Sequence, residues 1–280
     1  MKANNLSISV PNKGCDKNCP YCVSKMTGKV ETEGVQDALD LMSAKADKIK
    51  NFATMAQVSS VSITGKGEPM LNFDAVDTLA YLFKNFPLEI QTNGIVIASN
   101  PEYWVKKIKK AKIDIIAISV DHFEDVEKVV IPITKEAHKH HLIVRVTLNI
   151  TDMLFENEPN LSYEDFFKIF QANGVDQFSI RNVTAPKNSK NQKVSNWIKD
   201  HTNGLYDMFV KEMNVFILEH GTMIRELPYG AVLYDVMGVS ITSFDYCIQD
   251  KASENDIRSL IFMEDGHLYT AWNSKASRLF

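Results

Sequence analysis

Within the first 182 residues, six short β-branched, apolar runs alternate with longer segments whose apolar residues recur at helical spacing. Leu6 to Val10 is the first run, and Val35 to Phe52 then carries Leu39, Met42, Ala46 and Ile49 on one helical face. Val58 to Ile63 is followed by the turn Thr64-Gly65-Lys66-Gly67-Glu68-Pro69 and by helical Phe73 to Phe86. Leu88 to Thr92 closes on Asn93-Gly94, and Pro101 opens the next helix. Ile113 to Val120 is nearly continuous in apolar residues, as a strand buried on both faces requires. A charged helix precedes Leu142 to Ile150, and helical Tyr163 to Ala172 precedes Gln177 to Asn182.

This alternation leaves few folds open, because parallel strands must be joined by right-handed helical crossovers. Eight such units close a full barrel, whereas six give an open one. The expected fold is therefore α/β, a partial (β/α)6 TIM-type barrel over residues 1–185. Residues 186–280 are expected to form an irregular extension that covers the barrel without being an independent domain. In it, Pro186 to Lys193 reads as a polar loop, Leu205 to Glu219 as a helix and Ile224 to Ile241 as mixed. Ile257 to Phe262 and His267 to Trp272 flank Glu264-Asp265-Gly266, where Asp-Gly favours a type I′ β-hairpin turn.

Composition narrows the function. With 45% hydrophobic and 24% charged residues, the chain is neither disordered nor fibrous. A net charge of −4 gives no general attraction to nucleic acid or anionic membrane. No apolar run is long enough to span a bilayer, and the polar start Met1-Lys2-Ala3-Asn4-Asn5 is not a signal peptide, so a cytoplasmic location is expected. Of the four cysteines, Cys15, Cys19 and Cys22 crowd together while Cys247 lies far away. A secreted disulfide framework would spread them, so the crowded three read as metal ligands.

Cys15-Asp16-Lys17-Asn18-Cys19-Pro20-Tyr21-Cys22 follows the first strand, at the carboxyl edge where barrel chemistry gathers. Thiolates are soft ligands suited to iron–sulfur clusters and to zinc. Cubane clusters ordinarily take four cysteines, so three would leave one iron open for a small molecule. A zinc loop completed by a distant Cys or His is the alternative.

The C-x3-C-x2-C segment, with an aromatic residue before its last cysteine, resembles the cluster loop of the radical S-adenosylmethionine (radical SAM) superfamily. The resemblance implies that Cys15, Cys19 and Cys22 hold a 4Fe–4S cluster whose unique iron chelates the methionine end of S-adenosylmethionine (SAM), with Tyr21 near the adenine. Gly65-Lys66-Gly67-Glu68-Pro69 resembles the family's Gly-Gly-Glu-Pro motif, implying that Gly67 and Glu68 hold the SAM amino group; Lys66 departs from the pattern. Thr92-Asn93-Gly94 and Ser119-Val120-Asp121 resemble motifs of the third and fourth strands, placing Thr92, Asn93, Ser119 and Asp121 among the SAM contacts. Arg145, Thr147 and Asn149 alternate on one face of the fifth strand, where Arg145 and Asn149 could meet the ribose or the methionine carboxylate. Arg181 ends the sixth strand, where a buried guanidinium wants a carboxylate, and the resemblance adds it to the SAM contacts.

The resemblance implies reductive cleavage of SAM to a 5′-deoxyadenosyl radical, fed by an external flavodoxin- or ferredoxin-like one-electron donor, acting on a small-molecule or nucleotide-type substrate. A peptide- or protein-modifying enzyme, including a glycyl-radical activator, is the alternative within the family. A non-catalytic cluster- or zinc-binding protein is the alternative outside it. Cys247 has no cysteine near it to share a second cluster; it reads as a buried small hydrophobe, or else as a hydrogen donor or substrate contact. The lysines at 106, 107, 109, 110 and 112 and the histidines at 138, 140 and 141 read as solvated helix faces and ends. Trp197, Tyr269 and Trp272 read as core or cover packing.

Overall fold

In the computed structural model, which describes residues 2–12, 14–27, 34–186, 189–227, 232–243 and 256–280, the expected partial barrel is present. Six parallel strands lie side by side in chain order: β1 (Lys2–Ser9), β2 (Ser60–Thr64), β3 (Leu88–Thr92), β4 (Ile115–Val120), β5 (Ile143–Ile150) and β6 (Gln177–Asn182). The crossovers are α1 (Val35–Met55), α2 (Phe73–Leu82), α3 (Ile95–Ser99), α4 (Pro101–Lys110), α5 (Ile131–Lys139) and α6 (Tyr163–Ala172).

Strict period-two alternation decides which face of the sheet the helices cover. Leu6, Ile8, Val61, Ile63, Ile90, Ile118, Val144, Val146 and Phe178 are fully buried in the single large core under those helices. Apart from Ala117, the intervening positions that line the barrel lumen are polar, among them Ser7, Ser62, Glu89, Gln91, Ser119, Thr147 and Ser179. A closed barrel ordinarily fills that space with branched apolar side chains. The lumen here departs from that packing.

Helix starts follow from their caps. Asn100 accepts from the Tyr103 N–H at 3.2 Å ahead of Pro101, and Ser162 and Asp165 form a reciprocal capping box. Asn191 does the same for α7 (Gln192–His201), accepting from the Val194 N–H at 3.3 Å, so the polar loop expected to reach Lys193 ends earlier. A π-helical turn, Val126–Val130, leads from β4 into α5. The first strand starts at Lys2 and not at Leu6, because a strand from the extension pairs with it from Lys2 onward.

After α8 (Leu205–His220), the extension supplies β7 (Gly221–Glu226), β8 (Val232–Val236), β9 (Val239–Ser243), β10 (Asp256–Phe262) and β11 (Leu268–Tyr269). Strand β9 joins β6 in parallel and β10 joins β1 in parallel, giving eight parallel neighbours among the described residues. Antiparallel β8 and β11 pair on the outer sides of β9 and β10, so the sheet stays open.

The β10–β11 hairpin is present, but its turn differs from expectation. Type I′ needs two central residues with positive φ, yet only Gly266 is left-handed (φ 70°), and its N–H donates to the Met263 carbonyl at 2.9 Å. The type I′ geometry instead falls at Met237 (φ 52°) and Gly238 (φ 87°), which join β8 to β9 with Val236 opposite Val239. Cys247 lies outside the described residues. Among those described, no helix is long and apolar enough to cross a membrane.

Candidate active site at the carboxyl edge of the sheet

The cysteine loop leaves β1 and lies directly over the turn that follows β2. The Glu68 N–H donates to the Gly14 carbonyl at 2.9 Å. A Cβ added at Gly67 would stand 2.2 Å from that carbonyl oxygen and 2.3 Å from Asn12 Oδ1, so glycine is required where the two backbones touch. Gly67 thus seats the cysteine loop itself.

Glu68 is buried, and its carboxylate ties the second strand end to the third. Oε1 accepts from Thr92 Oγ1 at 2.6 Å and from the Met70 N–H at 3.0 Å, while Oε2 accepts from the Asn93 N–H at 2.9 Å. Burial pushes its pKa up, and these hydrogen bonds pull against that rise. The Asn93 amide then donates to Asp16 Oδ1 at 2.7 Å and lies 3.8 Å from Cys15 Sγ. Glu68, Thr92 and Asn93 therefore form one scaffold under the Cys15 end of the loop.

Asp121, at the end of β4, holds the other end. It accepts from the Tyr21 hydroxyl at 2.7 Å, lies 3.4 Å from Cys19 Sγ and is ion-paired with the Lys17 ammonium. Lys17 also reaches Asp125 Oδ2 at 2.9 Å. Burial would raise the pKa of Asp121, but the Lys17 charge and hydrogen bonds outweigh it and hold the carboxyl at about 2. Asp121, His122 and Asp125 bring ligand atoms within 4.8 Å of one another, yet the Lys17 ammonium already supplies the cation to both carboxylates. Tyr21 stacks on Trp197 of α7 at 5.9 Å between ring centroids, and Trp197 stacks on His201 at 4.1 Å.

The three thiols are free of disulfides. Burial pushes Cys15 up and takes Cys19 to about 12, with Asp121 adding to the latter, so ligation of a metal must displace protons. The Lys17 N–H points at Cys15 Sγ from 3.4 Å, and Ser24 Oγ lies 2.8 Å from Cys22 Sγ, both suited to a sulfur carrying negative charge. This all-sulfur set on one loop fits an iron–sulfur cluster.

Beneath the loop the strand register stacks the lumen in layers. Asn149 and Arg181 are neighbours in the uppermost, Ser119, Thr147 and Ser179 follow, and Ala117, Arg145 and Gln177 lie below. Thr147 and Ser179 share a hydrogen bond of 3.0 Å. Arg145 is ion-paired with Glu89 and donates to Gln177 Oε1 at 2.8 Å, so it belongs to the floor, away from the cysteine loop. Arg181 is exposed, not buried as expected, and has no hydrogen bond or ion pair among the described residues.

The structure thus joins Cys15, Glu68, Thr92 and Asn93 on one side, and Cys19, Tyr21 and Asp121 on the other. Sequence reasoning missed Lys17, Asp125 and Glu89, and took Trp197 only as core or cover packing. A lysine inside the cysteine loop and an acid on a lumen-facing strand position were the available signals for Lys17 and Glu89.

The site is thus three free cysteines on a loop over the polar lumen of an open α/β barrel. A family model described as the Radical SAM superfamily matches residues 9–158, and the chain belongs to that superfamily, whose members depend on an iron–sulfur cluster and SAM. The 7-carboxy-7-deazaguanine synthase of Clostridium acetobutylicum is 32% identical over 102 residues, 36% of this chain and 42% of that protein, so under half of the relative is matched. Among solved structures, SuiB of Streptococcus suis, bound to precursor peptide SuiA, superposes with a TM-score of 0.54 at 16% identity, over 96% of this chain and 60% of that one. The radical SAM enzyme HemN, coproporphyrinogen III oxidase of Escherichia coli, gives 0.51 at 13% identity over 79% and 54%. These two likenesses concern the fold.

Proposed function

We propose that Cys15, Cys19 and Cys22 hold a 4Fe–4S cluster with one open iron, and that the chain cleaves SAM there to act on a small molecule held in the barrel lumen. The observation that carries this reading is the polar lumen directly under a loop of three unpaired thiols. When bound, such a cluster would pass one electron from an external donor to the SAM sulfonium, whose cleavage to methionine would leave a 5′-deoxyadenosyl radical able to take hydrogen from a substrate. The protein's part is to position and to exclude water. Glu68, beside Cys15, presents carboxylate oxygens toward an ammonium while Thr92 and Asn93 keep it aimed. Tyr21, braced by Asp121 and Trp197, offers a ring face beside Cys19 for an adenine.

A lumen cavity of about 130 Å³ suits a compact substrate better than a peptide. The name of the clostridial relative, which makes a small carboxylated base, supports the same choice. An external flavodoxin- or ferredoxin-like one-electron donor and a cytoplasmic location complete the proposal. We also take 1–185 as the working core; the pairing of β9 and β10 onto its two edge strands supports treating 186–280 as dependent on it. The test is anaerobic reconstitution followed by electron paramagnetic resonance of the reduced protein. Added SAM should change the signal if an iron is open; a signal indifferent to saturating SAM contradicts the reading.

A further inference from the structure

We infer that the substrate carries an oxyanion group, a carboxylate or a phosphate, and that Arg181 is the residue that recognises it. This rests on the lumen being the substrate site, and it reassigns Arg181 from the cofactor to the substrate. The cavity is lined by three arginines, Arg145, Arg181 and Arg258, against one acid, Glu89. Arg145 and Glu89 are ion-paired on the floor, so neither offers its charge to a ligand. Arg181 has no anionic or hydrogen-bonding partner among the described residues.

Position favours a ligand over mere solvation. Arg181 is register-paired with Asn149, which borders Tyr21 of the cysteine loop. Ser119, Thr147 and Ser179 form the layer below, roughly 7 Å away at two residues along each strand. A molecule whose anionic end met Arg181 could place its body on these hydroxyls, within one layer of the loop. The guanidinium is a planar fork matched to two oxygens of a carboxylate or phosphate, so it can set orientation as well as supply charge.

The test uses the anaerobically reconstituted holoenzyme with SAM bound, titrated calorimetrically with benzoate, phenyl phosphate and neutral benzamide. At least one anion should bind about tenfold or more tightly than benzamide, and the better anion tells carboxylate from phosphate. Arg181→Gln should weaken that anion about tenfold, Arg181→Lys should recover part of the loss, and SAM affinity should stay within about twofold. Lys109→Gln, on the outer face of α4, should behave as the parent. Anions that bind no better than benzamide, or as well to Arg181→Gln as to the parent, would overturn the inference. So would a parallel loss of SAM affinity in Arg181→Gln, which would return Arg181 to the cofactor site. Failure of the parent to bind SAM at all bears on the proposed function instead, and is read from the SAM titration separately.

Discussion

At Gly67 a single hydrogen atom decides whether the cysteine loop can lie where it does. Any Cβ would collide with the Gly14 carbonyl, a backbone atom that cannot rotate away. Gly67→Ala is therefore expected to push the loop off the β2 turn, destabilising the metal-free chain by roughly 1–3 kcal/mol and cutting the iron retained after reconstitution. Urea unfolding and iron analysis check this; unchanged iron content would show that the contact is dispensable. Asp121 is the second such residue. Its carboxyl sits at about 2 against an ordinary 3.8, so it stabilises the fold above pH 4 and loses that contribution as pH falls toward 2. The shift corresponds to roughly 2 kcal/mol. Metal-free Asp121→Asn should be less stable than the parent at pH 7, with the gap shrinking between pH 4 and 2 in urea midpoints. A pH-independent gap would mean that the Lys17 pair does not carry the effect. These partners are separated by 104 positions in sequence, which is why spacing revealed the cysteines but not what braces them.

Elements were legible where their pattern is local. Period-two strands and capped amphipathic helices identify themselves, and all six strands, with the helices between them, are present in the expected order. Helix α7 escaped notice because only Val194 and Ile198 of its ten residues are buried, in a polar stretch that reads as loop. The β8–β9 hairpin escaped because Met237-Gly238 replaces the Asn-Gly or Asp-Gly that advertises a type I′ turn. The polar lumen was written in every strand, but its meaning depended on knowing which face the helices cover. Helix α6 carries its own prediction. Tyr163, buried and stacked 5.4 Å from Phe178, has a hydroxyl with no hydrogen-bond partner among the described residues. Tyr163→Phe keeps the ring and removes the orphaned hydroxyl, so it should stabilise the chain by about 1 kcal/mol in urea unfolding. A loss of stability would reveal a partner for that oxygen.

For the whole molecule, the open sheet and the site are one arrangement. Strand ends β1 to β4 supply the loop, its seat and its braces, while β3 to β6 supply a lumen with an ion-paired floor and Arg181 at its upper edge. The extension contributes Trp197 behind Tyr21 and Arg258 to the cavity, which ties residues beyond 186 to the candidate site. The most direct measurement of the proposed chemistry is 5′-deoxyadenosine released when dithionite and SAM are added to the anaerobically reconstituted chain. The expected result is release by the parent, with about four irons per chain, and background levels from each of Cys15→Ala, Cys19→Ala and Cys22→Ala. Zinc in place of iron, or a full iron complement with no SAM cleavage, would contradict it.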